Sequence, residues 1–182
     1  PLACFAEVVP HPRVVMQSRS DIRCVGTDDG RPRLRVRGGR LTSPTLSADG
    51  RQLAALDLTD DQRVAVVVFD TASGDERHRH RLDPLHLAAD LAFAPDGALL
   101  YIETTLQQGD RVMQWHPGAG PPTALWAVGF TPVWQPQKVG GHLLYGGAHT
   151  GVAALWARDL STGERWLVAA RPHGVYRFDV HD

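Results

Sequence analysis

The stretch Ala89-Asp90-Leu91-Ala92-Phe93-Ala94-Pro95-Asp96-Gly97 decides the fold, because a second stretch, Ser43-Pro44-Thr45-Leu46-Ser47-Ala48-Asp49-Gly50, repeats it. In the first, Pro95 presets φ for the second position of a type I turn and Asp96 suits the third. Gly97 then takes the left-handed conformation that closes a bulged hairpin. Ala48 stands in place of Pro95 in the other copy, which loses preorganisation but keeps the turn. One such turn fits any hairpin protein. Two with matching flanks are a repeat.

Gly50 and Gly97 lie 47 residues apart. A degenerate third copy, Phe130-Thr131-Pro132-Val133-Trp134-Gln135-Pro136, has its glycines displaced to Gly140 and Gly141, and Pro136 follows Pro95 by 41 residues. On this alignment Trp134 takes the place of Phe93 and Leu46 and belongs in the core. Each turn precedes a short apolar segment, a second segment and a Gly-centred turn. The segments are 52–56 and 63–70, then 99–102 and 111–115, then 142–145 and 152–156. A weaker copy runs through Val14-Val15-Met16, 21–25 and Asp29-Gly30. Short runs rich in Val, Leu, Tyr and Trp, bounded by Gly, Pro, Asp and Ser, read as strands, and no stretch holds a helical period. The run Val64–Phe69 is apolar on both faces, as a sheet covered on both sides requires. The expected fold is therefore all-β, built of four-stranded antiparallel sheets at the spacing of propeller blades. The expected blades are 1–40, 41–86, 87–127 and 128–172, with 173–182 opening a further one at Val175–Val180.

The segments Ser47-Ala48-Asp49-Gly50-Arg51 and Ala94-Pro95-Asp96-Gly97 resemble the S-P-D-G pattern of TolB-like propeller repeats. Asp70…Ser73-Gly74-Asp75 and Asp159…Thr162-Gly163-Glu164 resemble the family's D-x-x-[ST]-G-[DE] turn between outer strands. The resemblance spans roughly residues 41–170 and carries no catalytic residue. It implies a non-catalytic scaffold that binds a protein or peptide, a periplasmic location, and membership of a larger ring of about six to eight blades, the alternatives being a four-bladed ring or an open arc closed by dimerisation. It equally allows the propeller part of a prolyl oligopeptidase-type serine peptidase whose catalytic domain lies outside this chain. A sensor or enzyme with a small-ligand site at the propeller centre is a third reading.

Composition adds exclusions. Hydrophobic residues make up 43% and charged residues 21%, and the formal net charge is -1. Such a chain is globular and has no global field for nucleic acid or an anionic membrane. No run is long enough for a membrane-spanning helix. Cys4 and Cys24 fall on the first and third strands of one sheet, so two separate thiols are expected.

The candidate sites are few. His78 and His80 share a strand face, a geometry zinc uses, but no Cys or carboxylate completes a ligand set, so no metal is expected. Arg31, Arg33, Arg35, Arg37 and Arg40 form a basic ridge without interleaved aromatics, better suited to an anionic protein than to nucleic acid. His149, in the loop 146–151, is placed to touch a partner, although such a loop also reads as a hairpin tip. Trp126 and Trp166 fall on outer strands, where exposed Trp anchors interfaces. Partner binding is thus assigned to Trp126, Trp166, His149, Arg33 and Arg35. No G-x-S-x-G elbow is present, and no catalytic residue or cofactor site is expected.

Overall fold

A computed structural model describes residues 1–10, 18–37 and 39–178. The fold is all-β, with fifteen strands among the described residues arranged in antiparallel meanders. Contacts divide the chain into two compact units, Pro1–Ala88 and Ala89–Asp182.

In the first unit, β1 (Leu2–Pro10), β2 (Ser18–Gly26) and β3 (Pro32–Val36) form a three-stranded sheet. The strands β4 (Leu41–Leu46), β5 (Gln52–Leu58), β6 (Val64–Asp70) and β7 (Glu76–Arg81) form a four-stranded one. Ile22, Cys24 and Val36 of the first sheet pack on Leu41, Leu53, Ala55, Ala65, Val67 and Phe69 of the second. Every residue of β6 from Val64 to Phe69 is buried, as its unbroken apolar run requires.

The third sheet, which lies in the second unit apart from the first two residues of β8, is made of β8 (Leu87–Phe93), β9 (Leu99–Thr105), β10 (Gly109–Trp115) and β11 (Thr123–Gly129). The fourth comprises β12 (Val133–Val139), β13 (His142–Gly147), β14 (Ala154–Asp159) and β15 (Arg165–Ala170). Leu100, Ile102 and Val112 meet Val133, Leu143, Tyr145, Ala154 and Trp156 across them.

The repeated turns fall where the sequence puts them. Gly97 N–H donates to Ala94 at 2.9 Å with φ +81°, and Gly50 N–H to Ser47 at 2.8 Å with φ +68°. The D-x-x-[ST]-G segments join β6 to β7 and β14 to β15. Asp70 accepts from the N–H groups of Ala72 and Ser73, and Asp159 from those of Ser161 and Thr162. Hydrogen bonds from Ser161 and the turn backbone hold the Asp159 carboxyl far below the usual carboxylate range.

Three expectations need correction, and a fourth lies outside the described residues. Cys4 and Cys24 are not separate thiols two strands apart: β1 pairs directly with β2, Cys4 lies opposite Cys24 with Cα atoms 4.1 Å apart, and the two form a disulfide. The strand read at Val14–Met16 lies outside the described residues. Trp134 does not take the place of Phe93. Thr42 pairs with Leu56 and Trp134 with Gly146, each just before a bulge, at Ser43-Pro44 in β4 and Gln135-Pro136 in β12. Trp134 thus matches Thr42, and it is half-buried rather than core. Residues 175–178 form no strand: Val175 N–H donates to Ala153 at 2.9 Å, and Tyr176 stacks on Trp134 at 6.4 Å. Asp179 and Val180 lie outside the described residues.

Candidate functional site

The arginine ridge on β3 is committed to carboxylates of its own sheet. Arg33 pairs with Asp29 at 2.9 Å, and Arg35 with Asp21 at 2.8 Å and Glu7 at 3.8 Å. Alternation along β3 puts both arginines on the exposed side, while Val36 turns into the core. Asp21 is buried, and the Arg35 guanidinium supplies the ion-pair partner that its burial calls for. Sequence reading finds the ridge and Asp29, which sits beside it in the β2–β3 turn, but not Asp21 and Glu7, which come from β2 and β1.

On β7, His78 and His80 are half-buried while Arg77, Arg79 and Arg81 face outward. Arg79 bridges Glu76 at 2.7 Å and Asp57 at 2.8 Å, and these bonds raise its already high pKa. Among the described residues, no three His, Cys, Asp or Glu side chains are grouped to hold a metal ion.

The densest constellation is in the second unit. Trp126 of β11 lies half-buried with its ring 4.9 Å from Tyr145 of β13 and 4.8 Å beneath the Arg158 guanidinium of β14. A cation over an indole face is an attractive contact. Trp126 therefore joins the third sheet to the fourth.

His149 sits in the β13–β14 hairpin beside this cluster. Its Nε2 lies 3.1 Å from the Tyr145 hydroxyl and its Nδ1 3.2 Å from the Arg165 guanidinium of β15. The ring stands edge-on to Trp156 at 5.1 Å and to Tyr145 at 5.7 Å. Burial, with the Arg165 charge second, pushes the His149 pKa below its ordinary value. Burial likewise raises that of Tyr145. Gly146 lets the backbone pass under the Trp134 indole, whose ring a Cβ there would strike. The loop is thus built against aromatic rings rather than standing free as a tip.

Trp166 is separate from that cluster. It stands 42% exposed on β15, followed by Leu167 at 47% and Val168 at 48%, and its ring meets His142 edge-on at 5.5 Å. Five assigned residues therefore fall into three places: Arg33 and Arg35 in ion pairs, Trp126 and His149 together in an aromatic cluster, and Trp166 on an apolar edge strand. Leu167 and Val168 extend that edge. Alternation alone would have turned one of the three neighbours inward, but a bulge interrupts the β14–β15 register at this point.

Compared with solved structures, the chain is similar to TolB from Acinetobacter baumannii, with TM-score 0.74 and 17% identity over 94% of this chain and 42% of that one. The chain has a TolB-like β-propeller fold. Its four sheets are propeller blades. Putative TolB from Agrobacterium tumefaciens matches with TM-score 0.67 and 17% identity over 87% of this chain and 58% of that one. A puromycin hydrolase matches with TM-score 0.60 and 20% identity over 84% of this chain and 26% of that one. The chain thus spans about half the length of the TolB proteins it matches. No family model and no curated protein matches the sequence. The TolB-like fold also explains the spacing of 47 residues between Gly50 and Gly97, which is one blade.

Proposed function

We propose that this chain is a non-catalytic propeller segment that binds a protein or peptide, and that β15 is its docking edge. The observation that carries the reading is the run Trp166, Leu167, Val168, three consecutive apolar side chains at 42–48% exposure on the last strand of a sheet. Soluble proteins normally blunt such edges with charge, as β7 does with Arg77, Arg79 and Arg81. An extended apolar peptide laid along β15 would gain main-chain hydrogen bonds and side-chain burial together. Trp166 is the natural anchor. Arg33 and Arg35 are a lesser, anionic-partner surface, since their charges already have counter-ions.

The Cys4–Cys24 disulfide supports a location in an oxidising compartment, such as the periplasm that the TolB likeness suggests. No helix among the described residues is long and apolar enough to cross a membrane. The shares of the TolB chains matched support a place in a longer propeller, with neighbouring blades or domains of that protein as further partners. The second reading is the propeller part of a serine peptidase, favoured by the likeness to a puromycin hydrolase. A G-x-S-x-G elbow with later Asp and His in the complete reading frame would select it.

The test is selection of displayed random peptides on the folded chain. Selected peptides are expected to be apolar and extended, and to lose about tenfold or more in affinity for Trp166→Lys. They should bind an Arg33→Ala, Arg35→Ala double variant unchanged. Equal affinity for the Trp166 variant and the parent chain overturns β15 as the docking edge.

A further inference from the structure

We propose that the β13–β14 hairpin is closed by a histidine latch that only a neutral imidazole can fasten, so that acidification releases it. The argument begins with what each partner can offer. A guanidinium has five N–H donors and no acceptor, so Arg165 can bond His149 Nδ1 only if that nitrogen carries a lone pair. The proton of the neutral ring then sits on Nε2 and is donated to the Tyr145 oxygen. Tyr145 remains a neutral phenol because burial raises its pKa. One tautomer satisfies both contacts.

A protonated ring fails at the first contact. Nδ1–H would face the Arg165 N–H at 3.2 Å, donor against donor and cation against cation. The described residues that contact the ring supply no carboxylate to offset this. Trp126 faces the ring from β11, Tyr145 from β13, Trp156 from β14 and Arg165 from β15. Arg158, over the Trp126 ring, adds a second cation nearby. Among the described residues, the charged group in contact with His149 is the Arg165 cation, and the aromatic rings limit the imidazole's access to water.

Release follows by linkage. In the closed hairpin the His149 pKa lies below 6.5, and in an opened one it returns to that value. The contribution of the neutral ring is complete above pH 6.5 and is lost as pH falls from there toward the depressed value. Within that window opening increases about tenfold per pH unit. Opening frees Arg165, the residue next to Trp166, and so changes the start of β15. The latch does not rest on the docking role of β15, because its readout is the ring itself.

The test uses the whole 182-residue chain with 15N-labelled histidine, followed by long-range proton–nitrogen spectra from about pH 8 to about pH 4.5. The expected result is the Nε2–H tautomer at the alkaline end and a midpoint below 6.5. Amide exchange of 148–153, corrected for the chemical rate, should accelerate about tenfold per pH unit below 6.5. His149→Gln should abolish that acceleration, and Arg165→Gln should raise the midpoint toward 6.5. An Nδ1–H tautomer, a midpoint at or above 6.5, or the same acceleration in His149→Gln overturns the latch. Should His149→Gln fail to fold, Arg165→Gln decides alone, and an unchanged midpoint there overturns it.

Discussion

Gly97 and Gly109 both have left-handed φ, +81° and +71°, yet a side chain at each would meet different surroundings. At Gly97 an added Cβ enters open space, so alanine there bears only the backbone penalty, about 1–2 kcal/mol. At Gly109 the same atom would strike the backbone of Gly129 and Phe130, which cannot swing aside as a side chain can. Gly109→Ala should therefore cost roughly 3 kcal/mol or more, adding overpacking to the backbone penalty. Urea denaturation of the two variants checks this, and equal midpoints would refute it. Gly118 is as left-handed, with φ +89°, so its replacement should cost no less in backbone penalty than that of Gly97. The Asp-Gly turns are legible in sequence because their chemistry is local: Asp96 accepts from Ala98 N–H two residues on. Trp134 is not. Its position is fixed by a bulge at Gln135-Pro136 and by pairing with Gly146, whereas sequence offers the wrong proline to align.

The β1–β2 hairpin is the element the sequence leaves most obscure, since its blade lacks the repeated turn that orders the others. Nine register pairs run from Leu2 with Gly26 to Pro10 with Ser18, and they put Cys4 opposite Cys24. Closing 20 residues with a disulfide removes conformational freedom from the unfolded chain, a stabilisation of roughly 3 kcal/mol. Reduction, or Cys4→Ser with Cys24→Ser, is expected to lower stability by about 2–4 kcal/mol. Mass spectrometry of the oxidised chain should show no alkylatable thiol. Free thiols in the purified protein from an oxidising compartment would contradict the pairing. The last strands differ for a reason that composition does show. Alternating His and Arg on β7 makes an exposed face charged, whereas Trp166-Leu167-Val168 on β15 leaves no polar side chain to turn outward. Sequence places Trp166 on an outer strand. The exposure of its two neighbours depends on the bulge, which carries no signal of its own.

At the scale of the molecule, the second, third and fourth sheets were readable because a blade repeats its turn chemistry at spacings of about 40–50 residues, and apolar strands between the turns have few other ways to be buried. The arrangement around His149 was not, since it joins Trp126, Tyr145, Trp156 and Arg165 from four strands. That arrangement also bears on catalysis, because it is where a hydrolytic base would have to be found. A general base needs a free lone pair near a nucleophile and donors aimed at the developing oxyanion. His149 Nδ1 is occupied by Arg165, and Nε2 meets the Tyr145 phenol, whose pKa is raised rather than lowered. His78 and His80 lie on β7 between arginines. The serine hydroxyls of Ser47, Ser73 and Ser161 are engaged in turns with Asp49, Asp70 and Asp159, as those of Thr59 and Thr104 are with Asp61 and Asp110. The Ser47 and Ser161 hydroxyls lower the Asp49 and Asp159 pKa values, and the backbone N–H groups of Ser73 and Ala72 lower that of Asp70, leaving these carboxylates too acidic to accept a proton from an alcohol near neutrality. The expectation is that the purified chain turns over peptide and ester substrates only at background rate. Alanine at His78, His80 or His149 should leave that rate unchanged. Turnover that co-purifies with the folded chain and vanishes in one of those variants would replace the binding reading with a catalytic one.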